Sequence, residues 1–285
     1  GLVWIGTTKG LSCYDPERRR FTSYVNRPGD STSISHNTIM DIKQDRFGYI
    51  WLATFGGLNR LDPASGKTQR FIYSDQDRNG LKHRCINSLA LDSSGCLWIG
   101  TKQGLARLDT RTLAMERIES NHSDSSVFNN LLINMLMVDH DQSLYIGSGN
   151  GLYHYNPRNG QIRCYTKEDG LSNSIINGII RDSLGWLWIS TNNGLNRFNS
   201  ATGKFVTYTI DNGLPTWQFT PRGCYLQSGS QMFFGSFRGV VVFYPEDVKD
   251  PSPLPTVRIT DFRVYGVGKD PQSNDSLLPR SILVM

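Results

Sequence analysis

The stretch Asp92-Ser93-Ser94-Gly95-Cys96-Leu97-Trp98-Ile99-Gly100-Thr101-Lys102-Gln103-Gly104-Leu105-Ala106-Arg107-Leu108-Asp109 decides the fold, because its pattern returns along most of the chain. Its aromatic-led centre recurs as Trp4-Ile5-Gly6-Thr7, Trp51-Leu52-Ala53-Thr54, Tyr145-Ile146-Gly147-Ser148, Trp188-Ile189-Ser190-Thr191 and Phe233-Phe234-Gly235-Ser236. The leading aromatics stand at 4, 51, 98, 145, 188 and 233, so the steps are 47, 47, 47, 43 and 45 residues. Six residues after each leader comes a glycine (Gly10, Gly57, Gly104, Gly151, Gly194, Gly239), followed by Leu five times and Val once. Units of this length are the spacing of propeller blades, which run ~40–45 residues in WD-type repeats and ~50 in kelch repeats.

Working outward, each unit reads as four short strands. The first is apolar and opens near an Asn, as in Asn87-Ser88-Leu89-Ala90-Leu91 and Asn177-Gly178-Ile179-Ile180. An Asp-x-x-Gly turn follows, at Asp45 to Gly48, Asp92 to Gly95 and Asp182 to Gly185. The Asp side chain bonds its own backbone there and the Gly supplies a positive φ. The aromatic strand comes second. The third strand ends on turn residues such as Leu61-Asp62-Pro63, and a Gly (Gly66, Gly160, Gly203) launches the fourth. No helical period interrupts the pattern. The expectation is an all-β chain, a β-propeller of four-stranded antiparallel blades over 1–248 with six recognisable repeats. Repeat one lacks its innermost strand and repeat six its outermost. Either the two gaps complement each other, or the ring is seven-bladed and a blade lies outside this chain. The Trp, Gly, Asp and Asn of the repeat are thereby read as packing and turn residues. Repeat four has Gln142 at the turn glycine, and repeat six has Gln227 and Ser230 at the turn Asp and Gly, which predicts a distorted or specialised last blade.

After Pro245 the pattern stops. Residues 249–255 read as a Pro-rich linker, and 256–285 alternate like the start of a second, truncated β domain. The chain opens in mid-repeat at Gly1-Leu2-Val3-Trp4, as a piece of a longer protein would. Its 30 basic and 25 acidic residues give a net charge of +5. That is mild, without clustering on one face, and predicts no nucleic-acid partner while favouring anionic over cationic ligands. Five cysteines (Cys13, Cys85, Cys96, Cys164, Cys224) show no metal-ligand spacing and no disulfide framework. Asp75-Gln76-Asp77-Arg78-Asn79-Gly80 has the oxygen spacing of half a calcium loop, but Ile86 stands where its glutamate belongs, so a solvated turn is expected and no metal. No cofactor motif is present.

The unit D-x-x-G-x-[LI]-W-[IL]-[GAS]-T-x-x-G-L-x-[RY]-[LFY]-[DN]-P resembles the two-component regulator propeller repeat, with good matches at Asp45 to Pro63, Asp92 to Asp109 and Asp182 to Asn199. The continuation Pro255-Thr256-Val257-Arg258-Ile259-Thr260-Asp261-Phe262 is similar to the immunoglobulin-like domain that follows such propellers. The resemblance implies the periplasmic sensor region of a Bacteroidetes hybrid two-component histidine kinase. It would be homodimeric in the full receptor, attached to the membrane only through missing segments, and bind oligosaccharide breakdown products to regulate polysaccharide utilisation.

Strand alternation puts the links between blades on the same face as the turns joining second to third strands. These links (26–36, 74–84, 119–129, 167–174, 211–222) vary in sequence, and variable loops on a repetitive scaffold are where binding usually resides. A glycan needs an aromatic platform and planar donors. The residues on this face that offer them are Trp217, Arg222, Arg238, Lys102, His83, Arg84 and Phe55, with His36, Phe219 and Phe237 beside them. The leading expectation is a ligand-sensing module without enzymatic activity in this fragment. The competing readings are a protein-binding scaffold and, behind it, a propeller lyase or glycosidase, for which no nucleophile elbow, HExxH pair or phosphate loop is found.

Overall fold

The computed structural model describes residues 1–119, 127–227 and 230–251. The chain separates into two units, Gly1–Pro251 and Ser252–Met285. The immunoglobulin-like start expected over 256–285 lies outside the described residues.

Residues 1–251 form six antiparallel sheets arranged as the blades of a propeller. Blade two runs Ile39–Gln44, Ile50–Thr54, Gly57–Leu61 and Thr68–Phe71 from the innermost strand outward. Blade three comprises Ile86–Leu91, Cys96–Thr101, Gly104–Asp109 and Met115–Arg117; blade four Ile133–Val138, Leu144–Ser148, Leu152–Tyr155 and Ile162–Tyr165. Blade five comprises Ile176–Arg181, Leu187–Thr191, Leu195–Asn199 and Lys204–Tyr208. Blade one has three strands, Val3–Thr7, Gly10–Asp15 and Arg20–Tyr24, and blade six has Phe219–Leu226, Met232–Ser236 and Gly239–Phe243. Among the described residues blade one has no innermost strand and blade six no outermost, as the repeat alignment predicts. The inner strands of successive blades pack against one another around the axis.

The repeated residues hold each blade together. The indole N–H of Trp51, Trp98 and Trp188 donates to the turn carboxylates of Asp45, Asp92 and Asp182 at 2.7, 3.0 and 2.9 Å. Across the strand pair, Trp51, Trp98 and Trp188 stand opposite Arg60, Arg107 and Arg197. Each guanidinium lies within 6 Å of its partner ring, a cation–π contact that covers the indole. Blade four substitutes Tyr145 stacked on His154, 4.5 Å between ring centres.

Neighbouring blades are stitched by asparagine. Each inner strand of blades two to five carries a one-residue bulge, at Met40, Asn87, Asn134 and Asn177. The bulge turns the side chain toward the next blade, where Asn87, Asn134 and Asn177 donate to the carbonyls of Ile133, Ile176 and Phe219 at 2.8, 3.1 and 2.9 Å. The glycine six residues after each aromatic leader sits at positive φ where the third strand begins. At Gly57 φ is 129°, and a Cβ would stand 2.5 Å from the Phe71 carbonyl oxygen, so both the backbone angle and the close approach demand glycine.

The turns of the two atypical repeats keep the common geometry. Gln142 and Ser230 adopt φ of 68° and 70°, close to Gly95 at 90°. Ser230 N–H donates to the Gln227 carbonyl at 3.2 Å, as Gly48 does to Asp45 at 3.1 Å. Blade six is distorted elsewhere, in its inner strand. All five cysteines are free.

Candidate ligand-binding face

The links and the second-to-third-strand turns share one face. Lys102 N–H donates to the Cys85 carbonyl at 3.3 Å, Gly149 to Leu132 at 3.2 Å and Gly194 to Trp217 at 2.6 Å, each joining a short turn to a link. On the opposite face the Asp-x-x-Gly turns meet the third-to-fourth-strand turns, as when Thr110 N–H donates to Gly95.

The links are held from within. Arg70, on the outer strand of blade two, donates to the carbonyls of Ser33 and Asp30 at 2.7 and 2.6 Å, and Asn59 accepts from Ser35 N–H at 2.7 Å. Arg117 does the same for the next link, donating to Gly80 at 2.8 Å and Asp77 at 2.5 Å. These donors fix the loops before any ligand arrives. The Asp75–Gly80 segment is the solvated turn that its sequence suggests: Asp77 accepts from Asn79 and Gly80 N–H at 3.0 and 2.9 Å. Among the described residues no three His, Cys, Asp or Glu side chains are grouped to hold a metal ion.

One set of the predicted residues meets at the boundary of blades two and three. The Phe55 ring carries the Lys102 Nζ 5.4 Å from its centre and has the His36 ring 5.9 Å away. The Cys85 thiol reaches toward the Phe55 carbonyl at 3.7 Å, and Cys85 N–H donates to His83 Nδ1 at 2.9 Å, which sets His83 beside the same turn. Arg84, Lys102 and His36 are exposed, while Phe55 and His83 are half-buried. The result is an aromatic ring with a movable ammonium above it and imidazoles at its margin. Lys82, which sequence reading passed over, stands nearby; burial pulls its ammonium below the usual lysine range against the opposing effect of Glu119 at 4.0 Å.

Trp217 and Arg238 belong to blade six, separate from that set. Trp217 is 56% exposed, with its indole outside the blade core, and the adjacent turn presents Phe237, 69% exposed, and exposed Arg238. Two readings require correction. Phe219, taken as a link residue, is fully buried in blade six. Arg222, taken as the end of the link, lies within the inner strand Phe219–Leu226 and therefore in the blade itself. Pro221-Arg222-Gly223 belongs to a bulge inside that strand, where a proline is tolerated.

A second polar cluster occupies the opposite face. His154 Nε2 is 2.8 Å from Ser143 Oγ, whose own proton goes to Asp141 at 2.6 Å. His154 therefore donates to the serine oxygen, the reverse of a base activating a nucleophile, and burial lowers its pKa. Ser143 is buried, which closes it to a substrate.

The two component regulator propeller family matches at residues 33–56, 80–103 and 170–193, each match covering a link, an inner strand and an aromatic strand. The chain folds as a β-propeller, and three of its six blade repeats carry the match to this family. Among solved structures it is similar to the extracellular domain assigned to a hybrid two component system of B. thetaiotaomicron, at 24% identity and a TM-score of 0.73, over 86% of this chain and 32% of that one. It is also similar to PorZ, a surface component of the type-IX secretion system of Porphyromonas gingivalis, at 16% identity and a TM-score of 0.65, over 85% and 37% of the two chains. Virginiamycin B lyase of Staphylococcus aureus matches at 15% identity and a TM-score of 0.61, over 87% and 82%. At these identities the likeness is one of fold, and the chain spans about a third of the length of the first of them. No curated protein matches it. No helix among the described residues is long and apolar enough to cross a membrane.

Proposed function

We propose that this propeller is the ligand-recognising part of the periplasmic sensor region of a hybrid two-component histidine kinase, and that its link face binds oligosaccharide breakdown products. The observation that carries the reading is the half-buried Phe55 ring with the Lys102 ammonium 5.4 Å from its centre, on the same face as the exposed Trp217, Phe237 and Arg238 and as the links that Arg70 and Arg117 tie down. Rings take the C–H faces of a sugar and cations take its oxygens, and loops already ordered lose little entropy on binding. The family match and the fold shared with an extracellular two-component domain support the same reading. In the dimeric receptor, ligand preference for one arrangement shifts the kinase equilibrium; a tenfold difference in affinity between two states moves it by about 1.4 kcal/mol.

The test is calorimetric titration against neutral, uronic-acid and sulfated oligosaccharides, each mixture then examined by mass spectrometry. Saturable heat with the sugar intact supports a sensor. Cleaved sugar replaces it with the enzyme reading, and no binding to any member turns the face over to a protein partner.

A further inference from the structure

Blade six departs from the other blades at one place. In blade two, Ile39 pairs with Thr54 and Asp41 with Ala53, leaving Met40 as a single bulged residue. In blade six, Phe219 pairs with Ser236 and the next pair is Cys224 with Phe234. Thr220, Pro221, Arg222 and Gly223 thus stand opposite Gly235 alone. This enlarged bulge lies at the link-face end of the inner strand, beside the central axis. It places Arg222 at φ 61°, a left-handed conformation that is strained for a residue with a Cβ. The glycine that would relieve this strain is one residue away, at Gly223.

The strain does not serve an internal contact. Among the described residues no hydrogen bond or ion pair holds the Arg222 guanidinium, although the residue is half-buried. Burial pulls it below the usual arginine range, and the Asp41 carboxylate across the axis only partly offsets this. Asp41 is already committed: it accepts from Leu89 N–H at 2.8 Å and Ser88 Oγ at 3.2 Å, and it pairs with Lys43 at 3.3 Å. Asp41 and Lys43 cancel, so the mouth of the channel retains the positive charge of Arg222. A partly desolvated guanidinium with no partner, held by a strained bulge at the opening of a channel, is set up to receive an anion.

We propose that Arg222 is the anion-binding residue of this face, its planar fork of N–H donors taking a carboxylate or sulfate group of an acidic oligosaccharide at the mouth of the central channel. The inference rests on the reading of the link face as an oligosaccharide site and names the chemical class it prefers.

The protein, labelled with ¹³C and ¹⁵N in arginine, would be titrated with sodium sulfate, digalacturonate and, as a neutral probe, cellobiose. The Arg222 side-chain resonance is assigned by its loss in Arg222→Gly. The expected result is a saturable shift of that resonance with sulfate and digalacturonate and none with cellobiose. In Arg222→Gly, digalacturonate should bind about tenfold or more weakly while the melting temperature stays level or rises, since glycine relieves the φ strain. A resonance that neither anion moves, an unchanged digalacturonate affinity in the glycine variant, or a lowered melting temperature would overturn the inference. Cellobiose binding with no anion response at Arg222 would overturn it and leave the sensor reading standing. An anion response at Arg222 with no oligosaccharide bound would support the anion site and remove the sugar.

Discussion

Gly57 and Gly239 occupy the same position of the repeat and share a φ of 129°, but only Gly57 faces an outer strand. A Cβ at Gly57 would lie 2.5 Å from the Phe71 carbonyl oxygen, whereas at Gly239 nothing stands within 4 Å. Alanine at either site incurs the same backbone strain, about 1–3 kcal/mol. Gly57→Ala adds the cost of forcing strands apart against a backbone atom, a further ~1–3 kcal/mol. The difference between the two variants therefore isolates the contact with the outer strand. For a domain of this size, 1 kcal/mol moves the melting temperature by roughly 2–4 °C, so Gly57→Ala should melt about 2–12 °C below Gly239→Ala. Both would be compared by differential scanning calorimetry, with urea unfolding as a second measure. Equal losses would show that strain alone sets the glycine requirement, and the account of the third and outer strands as closely packed would fail.

Two further outcomes follow from the same packing. Trp98, 2% exposed and bonded to Asp92, should cost ~3–5 kcal/mol when replaced by alanine, read as a fall in melting temperature; a melt within a degree or two of the parent would contradict the blade assignment. Ser230→Gly should stabilise the protein by about 0.5–1 kcal/mol, because relief of the left-handed φ exceeds the entropy that glycine adds to the unfolded chain; a lowered urea midpoint would refute this.

The blade architecture was legible because it is written six times over. One turn aspartate or one Trp says little, but Asp92, Trp98 and Gly104 at fixed spacing in successive units specify a turn, a core ring and a tight strand entry together. The face assignment followed from alternation alone, and it brought Phe55, Lys102 and His83 to one place. What stayed hidden was non-local. The clamps from Arg70 and Arg117 join residues nearly forty positions apart, and the asparagine stitch joins blades through a bulge that has no local signature. Arg222 was misplaced because the link was taken to run to 222, whereas the inner strand begins at Phe219 and carries Arg222 in its bulge. The charge at Asp41 could have been found by setting Asp41, Ser88, Met135 and Gly178 side by side, since all follow the bulge in their inner strands. The departures at Gln227 and Ser230 pointed to a distorted or specialised last blade, and blade six is irregular, although in its inner strand rather than at the Ser230 position.

The most direct test of the account is a calorimetric titration of the best-binding oligosaccharide into the parent protein, Trp217→Ala and Phe55→Ala, with melting temperatures recorded in parallel. Trp217 is outside the blade core, so its loss should leave the melt within about a degree while binding weakens by roughly tenfold, the worth of one ring–sugar contact at about 1–1.5 kcal/mol. Phe55→Ala should weaken binding comparably. Unchanged affinity in both variants would place the ligand away from the link face and contradict the central claim.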